Sequence, residues 1–365
     1  MRNLLYLMHV PWGWIKQRPH FLAEGLAEHY RTELYYYRSY RQSWLVANRT
    51  TASLAVHPLW VVPFGYLSRL NSALIYRQVK RPLAVADILW ITHPYQYGQL
   101  AGHIPQGCRV VYDCMDDLLN LSYIKNHAGR STELAKAEKE LVARSDLVLV
   151  SAENLRRLIA ARYGRTGGVV LINNAVSLER EATAADTGLP PEIEAALAGA
   201  EKTVAYIGTL SEWFDWGLVL ESLERNPGIR YLLVGPAYGK IPEHSRLHYS
   251  GPVEHRHVFP LMARADALVM PFVHGDLIRS VDPVKLYEYV ASGRPVVALR
   301  YGESEKFADY THLYGDRAGY LELMDQVAAG TLLPKQEAAA CLAFGRSNSW
   351  PTRVAAIVAH LERLF

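Results

Sequence analysis

Residues 271–299, PFVHGDLIRSVDPVKLYEYVASGRPVVAL, decide how this chain reads. An apolar run ends at Pro271-Phe272, and a polar loop follows. Asp282-Pro283 then predicts a helix start, with the aspartate as cap and the proline in the first helical position. A helix opened in this way turns its unpartnered N–H groups and the positive end of its dipole outward, a setting that suits a diphosphate. Lys285 stands in the first turn, where the dipole alone disfavours a cation, and an anionic ligand at the helix end accounts for it. Glu288, one turn on, is placed to accept hydrogen bonds from a ribose diol. Ala291-Ser292-Gly293 allows close packing before the next apolar strand. An ordinary capped crossover helix is the plainer reading, and it leaves the joint spacing of Asp-Pro, Lys, Glu-Tyr and Gly-x-Pro unexplained.

Working outward, short apolar runs rich in Val, Ile, Leu and Tyr alternate with stretches of helical period. In the first half the runs are 3–10, 32–37, 87–91, 109–113, 146–150 and 168–172, with helices near 19–29, 65–80, 131–144 and 152–162. Residues 176–200 are polar, carry a Pro-Pro pair and read as a linker. The alternation then restarts, with strands near 203–207, 229–234, 247–249, 266–271 and 295–299. Helices are expected near 216–226, 254–264 and 283–292, followed by a tail near 316–328, 334–346 and 351–364. Continuous apolar strands alternating with helices imply parallel sheets covered on both faces. The expected class is therefore α/β, with two open sheets whose strand C-termini border a ligand cleft.

The 282–297 pattern resembles the donor-binding motif DPxKxxEYxAxGxPVV of GT-B glycosyltransferases, especially those of bacterial polysaccharide and lipid-linked glycan synthesis. The resemblance continues through VAYIGTLSEWFDW (204–216), YLLVGP (231–236), HYSGPVEH (248–255), SDLVLVSAENLRRL (145–158) and VVLINNAV (169–176). It implies two Rossmann-like domains facing across a cleft: an acceptor domain over 1–178, a nucleotide-sugar domain over 179–348, and a last helix, 349–365, packing back on the first domain. It also implies that Glu288 holds the ribose, that the N–H groups of Val284 and Lys285 hold the phosphates, and that Gly208 and Thr209 approach them. The backbone near Pro252 and Val253 would frame the base. Two departures stand out. The first of the two glutamates found in many retaining members falls at Ser280, and the usual Arg and Lys clamp is replaced by Glu212 and Asp215. Arg279 is then a further candidate for phosphate charge.

In the first half, HVPWGWIKQRPHFLAEGLA (9–27) resembles the loop by which this family passes from its first strand into its first helix at the cleft. It offers Gly13, Arg18 and His20 for the acceptor, while Trp12 and Trp14 equally suit a packed interface. VVYDCMDDLLNL (110–121) closes a strand with Asp113, Asp116 and Asp117. Crowded carboxylates raise one another's pKa toward that of a useful base. Asp116 and then Asp117 are the base candidates, with Asp113 orienting the loop. A solvated acidic turn, or a metal-gripping DxD-like motif, are the competing readings. His93 at a strand end is either an acceptor residue or a packed one.

The totals narrow the class. With 50% hydrophobic and 21% charged residues the chain has ample surface to bury, and a net charge of +3 argues against a nucleic-acid binder. Residues 1–100 carry 11 Lys/Arg against 4 Asp/Glu, so the rest of the chain is net acidic. A basic N-terminal half suits an anionic membrane surface or simply a solvated face, and the Arg/Tyr/Trp mixture of 31–49 fits a membrane interface. Three scattered cysteines suggest neither zinc nor disulfides, and no 18-residue apolar run spans a membrane. The expectation is a cytoplasmic protein, peripheral at most at the inner face of the plasma membrane. It would be a metal-independent glycosyltransferase without a cofactor, using a nucleotide-diphosphate sugar, UDP-sugar favoured, and a glycan, lipid-linked or small-molecule acceptor. A nucleotide-sugar epimerase or a non-catalytic binding protein are the alternatives. A dinucleotide oxidoreductase is disfavoured because no G-x-G-x-x-G follows an expected strand.

Overall fold

The computed structural model describes residues 1–13, 15–37, 53–62, 68–178, 188–199 and 201–365. Trp14, most of the aromatic-basic stretch 31–49 and the middle of the expected linker lie outside the described residues. Packing divides the chain into two units: Met1–Asn173 together with Trp350–Phe365, and Asn174–Ser349.

The first unit is a parallel sheet ordered β3-β2-β1-β4-β5-β6-β7. Its strands are β1 (Asn3–Met8), β2 (Arg31–Tyr37), β3 (Leu54–Leu59), β4 (Ile88–Ile91), β5 (Arg109–Cys114), β6 (Leu147–Val150) and β7 (Val169–Leu171). The helices are α1 (Arg18–Leu26), α2 (Ser68–Ala84), α3 (Pro94–Leu100), α4 (Ser122–Lys125), α5 (Ala128–Arg144) and α6 (Glu153–Tyr163). The apolar run of β4 is buried along its whole length, as expected of a strand covered on both faces. Tyr6 and Trp90 stack at 5.5 Å across the β1–β4 pair. The strand order reverses between β1 and β4, and this is where an open sheet of this type binds ligands, beyond the strand C-termini. The edge strand β3 was not legible in advance: Pro58 and partly exposed neighbours break its apolar pattern, which an edge position tolerates.

The second unit repeats the design. Its order is β10-β9-β8-β11-β12-β13, again parallel, with the reversal between β8 and β11. The strands are β8 (Lys202–Ile207), β9 (Ile229–Val234), β10 (Leu247–Gly251), β11 (Ala267–Met270), β12 (Val296–Leu299) and β13 (His312–Tyr314). The helices are α7 (Pro191–Leu197), α8 (Trp216–Arg225), α9 (Val258–Arg264), α10 (Asp276–Arg279), α11 (Val284–Ala291), α12 (Arg317–Ala328) and α13 (Ala338–Ser347). The expected linker contains α7. Its Pro-Pro pair opens the helix, Pro191 filling the first position where no N–H is needed, and Ile193 is fully buried.

The last helix, α14 (Trp350–Glu362), belongs to the first unit. Trp350 stacks on Phe21 of α1 at 4.8 Å, and Glu362 accepts from Tyr30 at 2.8 Å. Gly25 makes the close crossing possible, since a Cβ there would meet Val354 at 2.5 Å.

Candidate functional site

The residues expected to bind the donor gather at the C-terminal ends of β8, β9 and β10 and the start of α11. The β8 strand runs into Gly208-Thr209, and the Gly208 N–H donates to Val234 O at 2.8 Å. Gly235 lies against this turn with φ +135, and a Cβ on it would come within 2.1 Å of Gly208 O. Gly235→Ala is therefore expected to cost about 1–3 kcal/mol from backbone strain alone, plus displacement of the Gly208 turn. A urea titration showing an unchanged midpoint would refute it. Thr209 is held from the other side, its carbonyl accepting from Tyr206 Oη at 2.9 Å.

The Glu-Tyr pair of α11 now has a physical reason. The Tyr289 hydroxyl accepts from Ile207 N at 2.8 Å and so pins the helix to the end of β8, which carries Glu288 to the same strand end. Glu288 is 5% exposed. Lys285 Nζ donates to its Oε2 at 2.9 Å, and His255 Nε2 approaches Oε1 at 3.5 Å, an ion-pair distance rather than a well-formed hydrogen bond. Burial alone would raise the carboxyl, but Lys285 and then His255 outweigh it and hold it at about 2. A carboxylate has about four lone-pair positions, and two such neighbours leave acceptor capacity for a diol. Val284 and Lys285 are the first residues of α11, so their N–H groups have no carbonyl within the helix.

Several expectations need correction. Asp282 is not the cap of α11; Pro283 occupies that position without a side-chain bond. The Asp282 carboxylate turns inward, accepting from Asn174 N, from Tyr287 Oη at 3.2 Å and from Lys306 Nζ. Lys285 does not stand as a bare cation in the first turn, since its ammonium also pairs with Glu288. Arg279 ends α10 as an exposed side chain paired at 3.4 Å with Asp276. Asp215, one of the two acids in place of the usual clamp, caps α8 by accepting from Leu218 N at 3.1 Å. Val253 packs partly buried against the second core. His255, two residues on, escaped the sequence reading. Its only signal was its place at the end of the GPVEH loop, and both its ring nitrogens lie buried without a hydrogen bond.

In the first unit the acidic loop after β5 separates into distinct roles. Asp113 is fully buried, and Arg18, 3% exposed, reaches its Oδ1 through Nε at 3.0 Å and Nη2 at 2.8 Å. Arg18 Nη1 donates to Ile172 O at 2.7 Å. This pair holds α1 to β5 and the end of β7, so neither partner offers its charge to an acceptor. Asp117 is 2% exposed and accepts from Arg162 at 2.7 and 3.0 Å and from Asn120 at 2.6 Å. That leaves it committed to α6 and poorly placed as a base. Asp116 retains partial exposure, and no hydrogen-bond donor reaches its carboxylate among the described residues. Burial, opposed by Arg18 and aided by Asp113 and Asp117, raises its pKa to about 6.

His20 is spoken for by the backbone: Nδ1 accepts from Gln17 N at 3.2 Å and Nε2 lies 3.1 Å from Pro11 O, closing a capping box at the start of α1. Gly13 lies in the turn between β1 and α1. His93 caps α3, and its ring faces His9 at 5.6 Å. His9 was not singled out in the sequence, since one histidine closing an apolar run carries no periodic signal. Among the described residues no group of three or more His, Cys, Asp or Glu side chains converges as a metal site, and no helix is long and apolar enough to cross a membrane. Cys108, Cys114 and Cys341 are all free and buried.

Two doubly wound parallel α/β units in one chain define the GT-B fold. Sucrose-phosphate synthase from Thermosynechococcus elongatus superposes with a TM-score of 0.73 at 15% identity, over 100% of this chain and 99% of the other. Anabaena HepE in complex with UDP and glucose gives 0.68 at 16%, over 99% and 100%. A trehalose 6-phosphate synthase from Burkholderia multivorans gives 0.70 at 12%, over 100% and 98%. In sequence, the chain is similar to TuaH of Bacillus subtilis (strain 168), whose name places it provisionally among the glycosyltransferases of teichuronic acid biosynthesis. The two are 25% identical over 250 residues, spanning 62% of this chain and 60% of that relative's length. No protein-family profile matches the chain.

Proposed function

We propose that this protein is a glycosyltransferase that moves a sugar from a nucleotide-diphosphate sugar, a UDP-sugar foremost, to a glycan, lipid-linked or small-molecule acceptor. The observation that carries the reading is the buried Glu288 carboxylate, held ionised beside the opening turn of α11 and tied by Tyr289 to the Gly208 turn. That arrangement offers a diol acceptor and diphosphate donors on adjoining elements. HepE, of the same fold, has been crystallised with UDP and with UDP-glucose, which supports uridine as the base.

In this reading Glu288 binds the ribose diol. The N–H groups of Val284 and Lys285, the Lys285 ammonium and the Gly208-Thr209 turn take up the diphosphate charge, without a metal. The acceptor hydroxyl attacks C1 of the donor sugar and its proton passes to Asp116. The C1–O bond to the diphosphate breaks, and the electron pair leaves with the phosphate oxygen, stabilised at the α11 N-terminus. Asp116 as base describes an inverting transfer, consistent with Ser280 standing where many retaining members carry a glutamate. The reading places the protein in the cytoplasm, peripheral to the inner membrane face where its acceptor is lipid-linked.

The test is a thermal-shift panel of UDP-, GDP-, TDP- and CMP-sugars on the wild type and on Glu288→Gln. A ligand at 100 times its Kd stabilises by about 2.7 kcal/mol, and UDP-sugars are expected to show that effect. Glu288→Gln should weaken binding by about 10- to 100-fold, the worth of hydrogen bonds to a charged group. A folded wild type that responds to none of the four classes refutes the proposal.

A further inference from the structure

The two strands at which the first sheet reverses, β1 and β4, each close on a histidine. His9 Nδ1 lies 2.8 Å from Thr92 Oγ1. The Thr92 hydroxyl has a single proton, which it donates to Leu7 O at 3.1 Å, and it also receives the His9 N–H at 3.0 Å. Toward the His9 ring it can then only accept. With the Thr92 proton directed to Leu7 O, the ring proton falls on Nδ1 and Nε2 is left as a lone-pair acceptor. His93 is set the other way. Its Nδ1 accepts from Tyr95 N at 3.3 Å, so its proton is on Nε2. Burial, reinforced by neighbouring histidines, lowers His9 to about 3, and burial lowers His93 to about 4, so both rings are neutral near pH 7.

One neutral acceptor and one neutral donor on facing rings complement a hydroxyl, which both donates and accepts. A phosphate or carboxylate would bring no proton for His9 and would find no cation in His93. Flat aromatic faces adjoin the pair: the Tyr95 ring lies 5.2 Å from that of His93. Tyr123 is 59% exposed and close enough to Asp116 for that carboxylate, after burial, to raise its hydroxyl pKa. Tyr95 is in turn within electrostatic reach of Tyr123, which connects the histidine pair with the one uncommitted carboxylate of the β5 loop.

We propose that His9 and His93 recognise a single hydroxyl of the acceptor, and that the acceptor presents a neutral pyranose there rather than a phosphorylated or carboxylated sugar. Naming this ligand the acceptor rests on the glycosyl-transfer reading above.

The test uses the full chain with 15N-labelled histidine. Two-bond 15N–1H spectra are assigned with His9→Gln and His93→Gln, and the probes are neutral methyl hexosides, N-acetylhexosamines, glucose 6-phosphate and glucuronate. Opposite tautomers are expected, Nδ1–H on His9 and Nε2–H on His93, with the neutral sugars moving the Nε2 signals of both. Each Gln variant should weaken that binding by about 3- to 10-fold, the range of one neutral hydrogen bond. Identical tautomers, no response to any neutral sugar, or a stronger response to the anionic sugars would overturn the proposal. UDP added to the same samples separates the two claims. A sugar response without any UDP binding sinks the transfer reading and leaves hydroxyl recognition standing, whereas UDP binding without a sugar response sinks the histidine proposal alone.

Discussion

Replacing Asp113 with Ala is expected to remove about 3–5 kcal/mol of stability, the cost of leaving a buried charge without its partner. Asp113 is fully buried and Arg18 nearly so, and two guanidinium nitrogens converge on one carboxylate oxygen. After the substitution Arg18 would lose the carboxylate that answers its charge, while keeping its bond to the Ile172 carbonyl. Removing both partners should cost much less, because an apolar pair of similar volume leaves nothing to solvate. Arg18→Met with Asp113→Leu is thus expected to recover most of the loss. Urea unfolding followed together with hydrogen exchange of the β5 amides reports this unit rather than the other. A loss below about 1 kcal/mol for Asp113→Ala would mean that water reaches the pair. The substitution should also be felt at Asp116, whose carboxyl is raised by Asp113 and lowered by Arg18. With Asp113 gone, burial and Asp117 still oppose Arg18, and the Asp116 carboxyl should move down from about 6.

That coupling illustrates what a sequence can and cannot say. The strands of both sheets were legible wherever they are buried on both faces, because continuous apolar runs such as 88–91 and 267–270 need no partner to be recognised. The edge strand β3 and the three-residue β13 were missed, since neither buries enough apolar length to leave a pattern. The donor motif was legible because Asp282, Lys285, Glu288, Tyr289 and Gly293 lie within four helical turns of one another in sequence. What they touch was less so. Asp282 reads as a helix cap until Asn174, Tyr287 and Lys306 are seen around it, two of these being distant in the chain. The acidic loop was legible as a cluster, but its division of labour depends on arginines 45 and 95 residues away. His9 and His255 gave no signal, because a lone histidine acquires meaning only from what the fold sets beside it.

Within that loop Asp116 carries the largest functional prediction. Asp116→Asn keeps the shape of the side chain and removes its capacity to take a proton, so turnover should fall by about 10²- to 10⁴-fold, the usual worth of a general base. Donor binding, which the proposed reading assigns to Glu288, should be unchanged. The raised carboxyl adds two pH signatures. In the wild type the base works only when ionised, so kcat/KM should fall tenfold per pH unit below about pH 6. Stability moves the other way. An acid whose pKa is higher in the folded than in the unfolded chain contributes stability that is complete below about pH 4 and is lost as pH rises through about 6. At pH 7 the ionised Asp116 is therefore a burden on the fold. Asp116→Asn is expected to raise Tm by a few degrees at pH 7 and by nothing at pH 4. Gained stability with lost turnover is the pattern of a strained catalytic group. A variant that loses turnover and stability together would mark Asp116 as a structural residue. One that keeps its turnover would move the base elsewhere, with Asp117, bound to Arg162, a weak successor.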